Sequence, residues 1–302
     1  MIRKANETIR EWANRVNGTR NVNKCHCLFC VNKTLEKGEG YAVVLPECGN
    51  RPRYVCEDDW RRLHTKLPYH GNANTRVLEG IGTPKIGDVE STTFGCELEY
   101  VSVGEPASVT FKILVERAFN VVEENDCTVT GEFPTDYFRG GNAFSKQIRK
   151  LEKFGFMPYL DHNSVGAHIH VECNCMGYVR NWYNTLFVPF SRYLQLHQTS
   201  WMVERFGRGF GSYREPISET SSWGSHSNFV NCQHDNTLEF RLPRISSAQQ
   251  YLNVVYFWRE VGCMLNSVEW IVKTENNREI RKNQAVAVSK EILNIAKRYF
   301  GE

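Results

Sequence analysis

The chain has 302 residues, is 41% apolar and 24% charged, and carries a net charge of +3. That composition fits a folded globular protein with one large domain and one small one, and excludes disordered and collagen-like classes. No run approaches the roughly 18 apolar residues of a spanning helix, so no membrane contact is expected.

The charge is unevenly spread. Residues 1–87 hold 15 of the 37 Lys+Arg and 9 of the 34 Asp+Glu, leaving 22 basic against 25 acidic residues in the remainder. A basic appendage on a mildly acidic body points to protein or nucleic-acid contact through the N-terminal part. The start, Met1-Ile-Arg-Lys-Ala-Asn-Glu-Thr, lacks the apolar stretch of a secretory signal. A cytoplasmic protein of a bacterium or a phage-infected cell is therefore expected. In that setting the eleven cysteines are not expected to form disulfides.

Residues 7–16 place Ile9, Trp12, Ala13 and Val16 at helical spacing, with Gly18 as a stop. Five cysteines then fall between Cys25 and Cys56, a metal-site distribution. Cys27-Leu-Phe-Cys30 is a CxxC knuckle. Residues 35–45 read as a hairpin, and residues 60–67 as a helix. Cys56 and Asp59, three apart at the start of that helix, can face one ion. A knuckle, a hairpin and a ligand pair in a first helical turn resemble a treble-clef zinc finger. Cys27, Cys30, Cys56 and Asp59 are the expected Zn²⁺ ligands, with Cys48 or Cys25 as alternatives for the fourth. His26 and His64 are poorer candidates. A module this small gains its stability from the metal.

Glycines and prolines make residues 68–90 a linker between an N-terminal module at 1–67 and a main domain at 91–302. In the main domain, strands are predicted at 94–103, 107–113, 127–133, 166–173, 227–232 and 236–242. Helices are predicted at 142–154, 177–204, 247–274 and 284–300. Tyr251, Val254, Val255, Trp258, Val261, Gly262 and Leu265 make one core-facing stripe. The class is α+β, a sheet backed by helices.

Three of the strands carry chemistry. In a strand, alternate side chains share a face, so Glu97 pairs with Glu99, His168 with His170, and Glu239 with Arg241. The intervening Leu98, Ile169 and Phe240 turn toward apolar packing. Three carboxylates, two imidazoles and a guanidinium on one sheet face are too much charge for a core. They suit divalent metal and phosphate.

Together these segments resemble the amidoligase family, grouped with glutamine synthetase and γ-glutamylcysteine synthetase among carboxylate–amine ligases. FGCELEYV at 94–101 is similar to the family's GxExE strand. Asp126-Cys-Thr-Val-Thr-Gly-Glu-Phe-Pro-Thr135 is similar to its Dx[ST]…GE segment, although the spacing to Glu132 is short. GAHIHVE at 166–172 matches its GxHxH strand, and Asn231 followed by TLEFR at 237–241 matches its closing signature.

The resemblance implies a glutamine-synthetase-like catalytic fold, a curved antiparallel sheet backed by helices whose concave face binds metal and ATP. It implies ATP- and Mg²⁺- (or Mn²⁺-) dependent amide formation through an acyl phosphate. Glu97, Glu99, Glu132, His168 and Glu239 would hold the divalent ions. His170, Arg205 and Asn231 would contact nucleotide. Arg241, Arg208 and Arg214 would stabilise transferred charge. The substrates implied are small-molecule or peptide carboxylates and amines. Two rival readings are a rolling-circle DNA endonuclease, built on the HxH strand with Tyr178 or Tyr183 as nucleophile, and a non-catalytic zinc or nucleic-acid-binding protein.

Overall fold

The computed structural model describes residues 3–30, 33–45, 48–64, 89, 92–102, 108–119, 121, 123, 124, 128–135, 137, 138, 141–268 and 277–301. The predicted linker at 68–90, except Val89, and Asp126 lie outside the described residues.

Helix α1 (Ile9–Val16) begins with a reciprocal cap. The Thr8 side chain accepts from the Glu11 amide, and the Glu11 carboxylate accepts from the Thr8 amide. Two small antiparallel pairs follow. In the first, β1 (Cys25–His26) pairs with β2 (Thr34–Leu35) across the CxxC knuckle. In the second, β3 (Tyr41–Val44) pairs with β4 (Pro52–Val55), and α2 (Glu57–His64) follows directly. The hairpin expected over 35–45 is not formed: its two ends belong to two different hairpins, one pairing back and the other forward. Leu35 faces Cys25 and Tyr41 faces Val55. The chain passes tightly at Gly40 between the two pairs, where an added Cβ would stand 2.9 Å from Leu35 and 3.3 Å from Asn21. Asn21 occupies the turn, accepting from the Gly40 amide and donating to the Glu36 carbonyl.

The main body is built on a five-stranded sheet, every adjacent pair antiparallel. Its strands are β5 (Phe94–Tyr100), β6 (Gly131–Pro134), β7 (Ala167–Glu172), β8 (Val230–Asn231) and β9 (Thr237–Phe240), in the spatial order β6-β5-β7-β9-β8. Its helices are α3 (Val109–Phe119), α4 (Gly141–Lys153), α5 (Met157–Leu160), α6 (Met176–Asn181), α7 (Tyr183–Gln195), α8 (Thr199–Phe206), α9 (Ala248–Ser267) and α10 (Arg278–Phe300). Helix and strand are mixed, as the composition of elements implies.

The apolar face of the sheet packs on α9. Trp258 stacks on Phe240 at 4.5 Å and donates its indole N–H to the Leu238 carbonyl. Gly262 lets the helix close in, since a Cβ there would lie 2.9 Å from Val171. Phe257 and Phe300 tie α10 behind α9. Truncating a fully buried ring such as Phe240 to alanine would cost about 3–5 kcal/mol.

Two predicted elements differ. Residues 107–113 read as a strand because they are rich in β-branched and aromatic side chains, yet residues 109–113 open α3. Phe111, Leu114, Val115 and Ala118 recur at helical spacing and are buried, and the Ser108 hydroxyl accepts from the Phe111 amide. The long helix at 177–204 is three helices, broken at Trp182 and at 196–198.

Candidate active site and metal centre

The register of the sheet assembles the polar face. Glu97 lies opposite His168, Glu99 opposite Glu132, His170 opposite Glu239, and Glu239 opposite Asn231. All of these side chains are buried. The alternation therefore does not separate core from solvent. It separates an apolar layer under α9 from an enclosed ionic layer.

His168 sits among the carboxylates. Its Nδ1 is 3.0 Å from Glu97 and 3.3 Å from Glu239, and its Nε2 is 3.6 Å from Glu99. Glu97, His170 and Glu239 each present a ligand atom, all within 4.8 Å of one another. His170 Nε2 lies 3.0 Å from Glu97, but neither ring nitrogen makes a hydrogen bond of acceptable geometry. A buried imidazole with orphaned nitrogens beside two carboxylates fits a divalent cation with open positions, and the oxygen-rich set suits Mg²⁺ or Mn²⁺. The trio includes His170, which the sequence assigned to phosphate; His168 touches two of the trio, Glu97 and Glu239, and reaches toward Glu99 with its other nitrogen.

The electrostatics follow. Burial works to raise the Glu97 carboxyl, but the charge of His170 close by and the hydrogen bond with His168 outweigh it, and Glu97 is held well below the usual carboxylate range. Burial works against a charged His170, and Glu97 reverses that, moving it upward.

Glu239 is oriented from both sides. Asn231 donates to one oxygen at 2.6 Å and Arg241 Nη1 to the other at 2.8 Å. The glycine of GxHxH has a steric reason. A Cβ on Gly166 would lie 2.6 Å from both His168 Nε2 and Arg208 Nη2, and the Gly166 amide donates to Glu99. A cavity of about 560 Å³ opens beside this face, between Glu99 and His168 on one side and Arg208, Arg214 and Arg241 on the other.

The arginines are not equivalent. Arg208 is buried and donates through Nε, Nη1 and Nη2 to the carbonyls of Leu242, Val165 and Arg241. Burial, with neighbouring cations, brings it down to about 9. Arg214 is half-buried and uses Nε on the Gly209 carbonyl. Arg205 lies apart from the cavity, donating to the Phe300 carbonyl and stacked over Trp201. Tyr183 is buried with its hydroxyl on the Val230 carbonyl, and Tyr178 is buried as well.

His234 was not singled out in the sequence. It lies 3.8 Å from Glu239 and packs edge-on to His170 at 5.3 Å, with burial and His170 lowering its affinity for a proton. The signal available was its place in the short turn from β8 to β9. Loop positions carry no period, so the sequence does not show which way it faces.

A second cluster lies in the stretch from β1 to α2. Cys27, Cys30, Cys56 and Asp59 converge, with the three sulfurs 3.2, 3.2 and 3.1 Å from Asp59 Oδ2. Cys30 and Cys56 are 3.9 Å apart. Sulfur ligands at tetrahedral zinc stand about 3.8 Å apart when the bonds are about 2.3 Å. Asp59 is fully buried, and its other oxygen accepts from Arg117 Nε at 2.9 Å. That contact orients a ligand from outside the cluster. A hydrogen bond from Cys30 is the main cause that draws the Cys27 thiol down to about 6, while the Cys30 thiol is pushed up by its bond to Cys27 and the Cys56 thiol by burial. Cys25 and Cys48 stand outside the cluster, and Cys25 accepts instead from Asn21.

No protein-family model and no curated protein matches the sequence. Among the solved structures it is similar to a GmaS/ADP complex in its first conformation, with 11% identity over 97% of this chain and 94% of that one and a TM-score of 0.36. Among the described residues no helix is long and apolar enough to cross a membrane.

Proposed function

We propose that this protein is an ATP- and divalent-metal-dependent carboxylate–amine ligase with a structural zinc module. The observation that carries the reading is the enclosed ionic layer of Glu97, Glu99, His168, His170 and Glu239 beside an arginine-lined cavity. A salt-bridge lattice on a solvent-facing sheet would be exposed, and this one is not.

In the proposed reaction a substrate carboxylate oxygen attacks the γ-phosphorus of ATP, and ADP leaves. The amine nitrogen then attacks the acyl carbon, the C–N bond forms, phosphate departs, and the amine loses a proton. Divalent metal would supply charge neutralisation on the phosphate oxygens. Glu97, Glu239 and His170 would hold one such ion, with Glu99, Glu132 and His168 beside it for another. Arg241 and Arg214 would face the transferred phosphoryl group. Arg208, with its donors on three carbonyls, positions Arg241 and the end of β9. Asn231 would orient Glu239 through the hydrogen bond it donates.

The N-terminal module at 1–67 would be held by Zn²⁺ on Cys27, Cys30, Cys56 and Asp59, and the catalytic domain would be 91–302. The endonuclease reading finds no support in the burial of Tyr178 and Tyr183. The test is ADP release with Mg²⁺ against panels of carboxylates and amines. Release that requires one of each supports the proposal. Absence of nucleotide binding with either Mg²⁺ or Mn²⁺ sinks it.

A further inference from the structure

A groove of about 740 Å³ runs between the knuckle and β4 on one side and α4 on the other. It lies apart from the ionic face, and nothing in the proposed reaction uses it. Lys146, Arg149, Lys150 and Lys153 project from α4 at spacings of three and four, which puts them on one helix face. Arg53 adds a fifth cation from β4, and no carboxylate lines the groove among the described residues. A wall of one sign concentrates field along a concave surface.

The cations divide by role. Lys150 is half-buried and donates to the Leu28 carbonyl at 2.6 Å, which ties α4 to the knuckle. Burial lowers its affinity for a proton. Arg149 reaches Gln249. Arg53, Lys146 and Lys153 are exposed and form no ion pair with a described residue. Solvated lysines on a helix are common, but five cations gathered on both walls of a groove, with no acid among its described lining residues, are not neutral surface.

The groove also carries rings. Tyr54 and Phe154 are half-buried in its lining, between the cations. The backbone of β4 offers little to an extended peptide at this point, because the Tyr54 carbonyl already accepts from the Leu28 amide at 2.8 Å. Cations to track a backbone, with aromatic faces between them, are the recognition elements of single strands. We propose that this groove binds single-stranded nucleic acid, with phosphates on Arg53, Lys146, Arg149 and Lys153 and bases against Tyr54 and Phe154. The claim is independent of the ligase reading, and its test needs no ATP.

The full-length protein would be titrated into a fluorescein-labelled oligo(dT) or oligo(rU) of about twelve nucleotides, and anisotropy followed from about 50 mM salt upward. Four phosphate contacts predict a slope of log affinity on log salt of about −3, since single strands give roughly −0.7 per contact. Lys146→Glu with Lys153→Glu should weaken binding more than tenfold and flatten the slope by about half, with an unchanged circular dichroism spectrum. Phe154→Leu should weaken binding about tenfold and leave the slope as it was. The proposal is overturned if no binding is seen at the lowest salt, or if neither variant changes it. It is equally overturned if a polyglutamate peptide of the same length displaces the oligonucleotide at equal concentration, or if duplex DNA binds more tightly than the single strand.

Discussion

Replacing Arg117 tests whether the cysteine cluster is a metal centre or a set of buried thiols. Arg117 stands on α3, 58 residues along the chain from Asp59, yet its Nε donates to Asp59 Oδ1 at 2.9 Å while Asp59 Oδ2 faces the three sulfurs. If Oδ2 binds zinc, Arg117 fixes the carboxylate and partly offsets the net negative charge of three thiolates and an aspartate around one dication. Loss of such an outer partner typically costs 10- to 100-fold in metal affinity, or about 1.4–2.7 kcal/mol. The Arg117 side chain is 32% exposed, so solvent screens part of its charge and the lower half of that range applies. Arg117→Met keeps most of the aliphatic stem and should weaken zinc about tenfold to thirtyfold. The assay is competition for Zn²⁺ against a chromophoric chelator at neutral pH, with metal content of the purified protein measured alongside. Wild-type protein without zinc, or an Arg117→Met affinity within twofold of wild type, would refute the reasoning.

Glu97→Gln and Glu239→Gln should each lower Mg²⁺-dependent nucleotide affinity at least about tenfold, seen by calorimetry, with the fold retained; unchanged affinity in both removes them from the site. Arg241→Lys keeps the charge and loses the planar fork, so turnover should fall far more than nucleotide affinity, a split visible in kcat against Kd. Gly166→Ala puts a Cβ 2.6 Å from His168 Nε2 and Arg208 Nη2. It should cost about 1–3 kcal/mol and lower the melting temperature, and a variant with wild-type stability and turnover would contradict the close approach.

The chemistry was legible where it followed the period of a strand. Glu97, Glu99, His168, His170 and Glu239 share a face because β5, β7 and β9 are regular, and two-residue periodicity alone puts alternate side chains together. Which strands neighbour each other is set by tertiary packing, so the sequence did not tell that both His168 and His170 would come up against Glu97 and Glu239. Asp59 was legible from its spacing to Cys56, but its partner Arg117 is 58 residues away and left no local trace. Arg205 and Arg208 look alike in a Gly-rich stretch. One turns to the Phe300 carbonyl and the other is spent on three carbonyls under the cavity, and neither fate is written in composition. The β-branched run that opens α3 misled because burial on nearly all sides rewards such side chains in a helix as well as in a sheet.

The most direct measurement uses a substrate carboxylate labelled with ¹⁸O, once a carboxylate and amine pair supports ADP release. A ligase that activates the acid as an acyl phosphate must leave one carboxylate oxygen on phosphorus when the amine attacks carbon. The account predicts one ¹⁸O in the released phosphate for each amide formed, read by the isotope shift in ³¹P NMR. Phosphate free of label, with amide still produced, would contradict it.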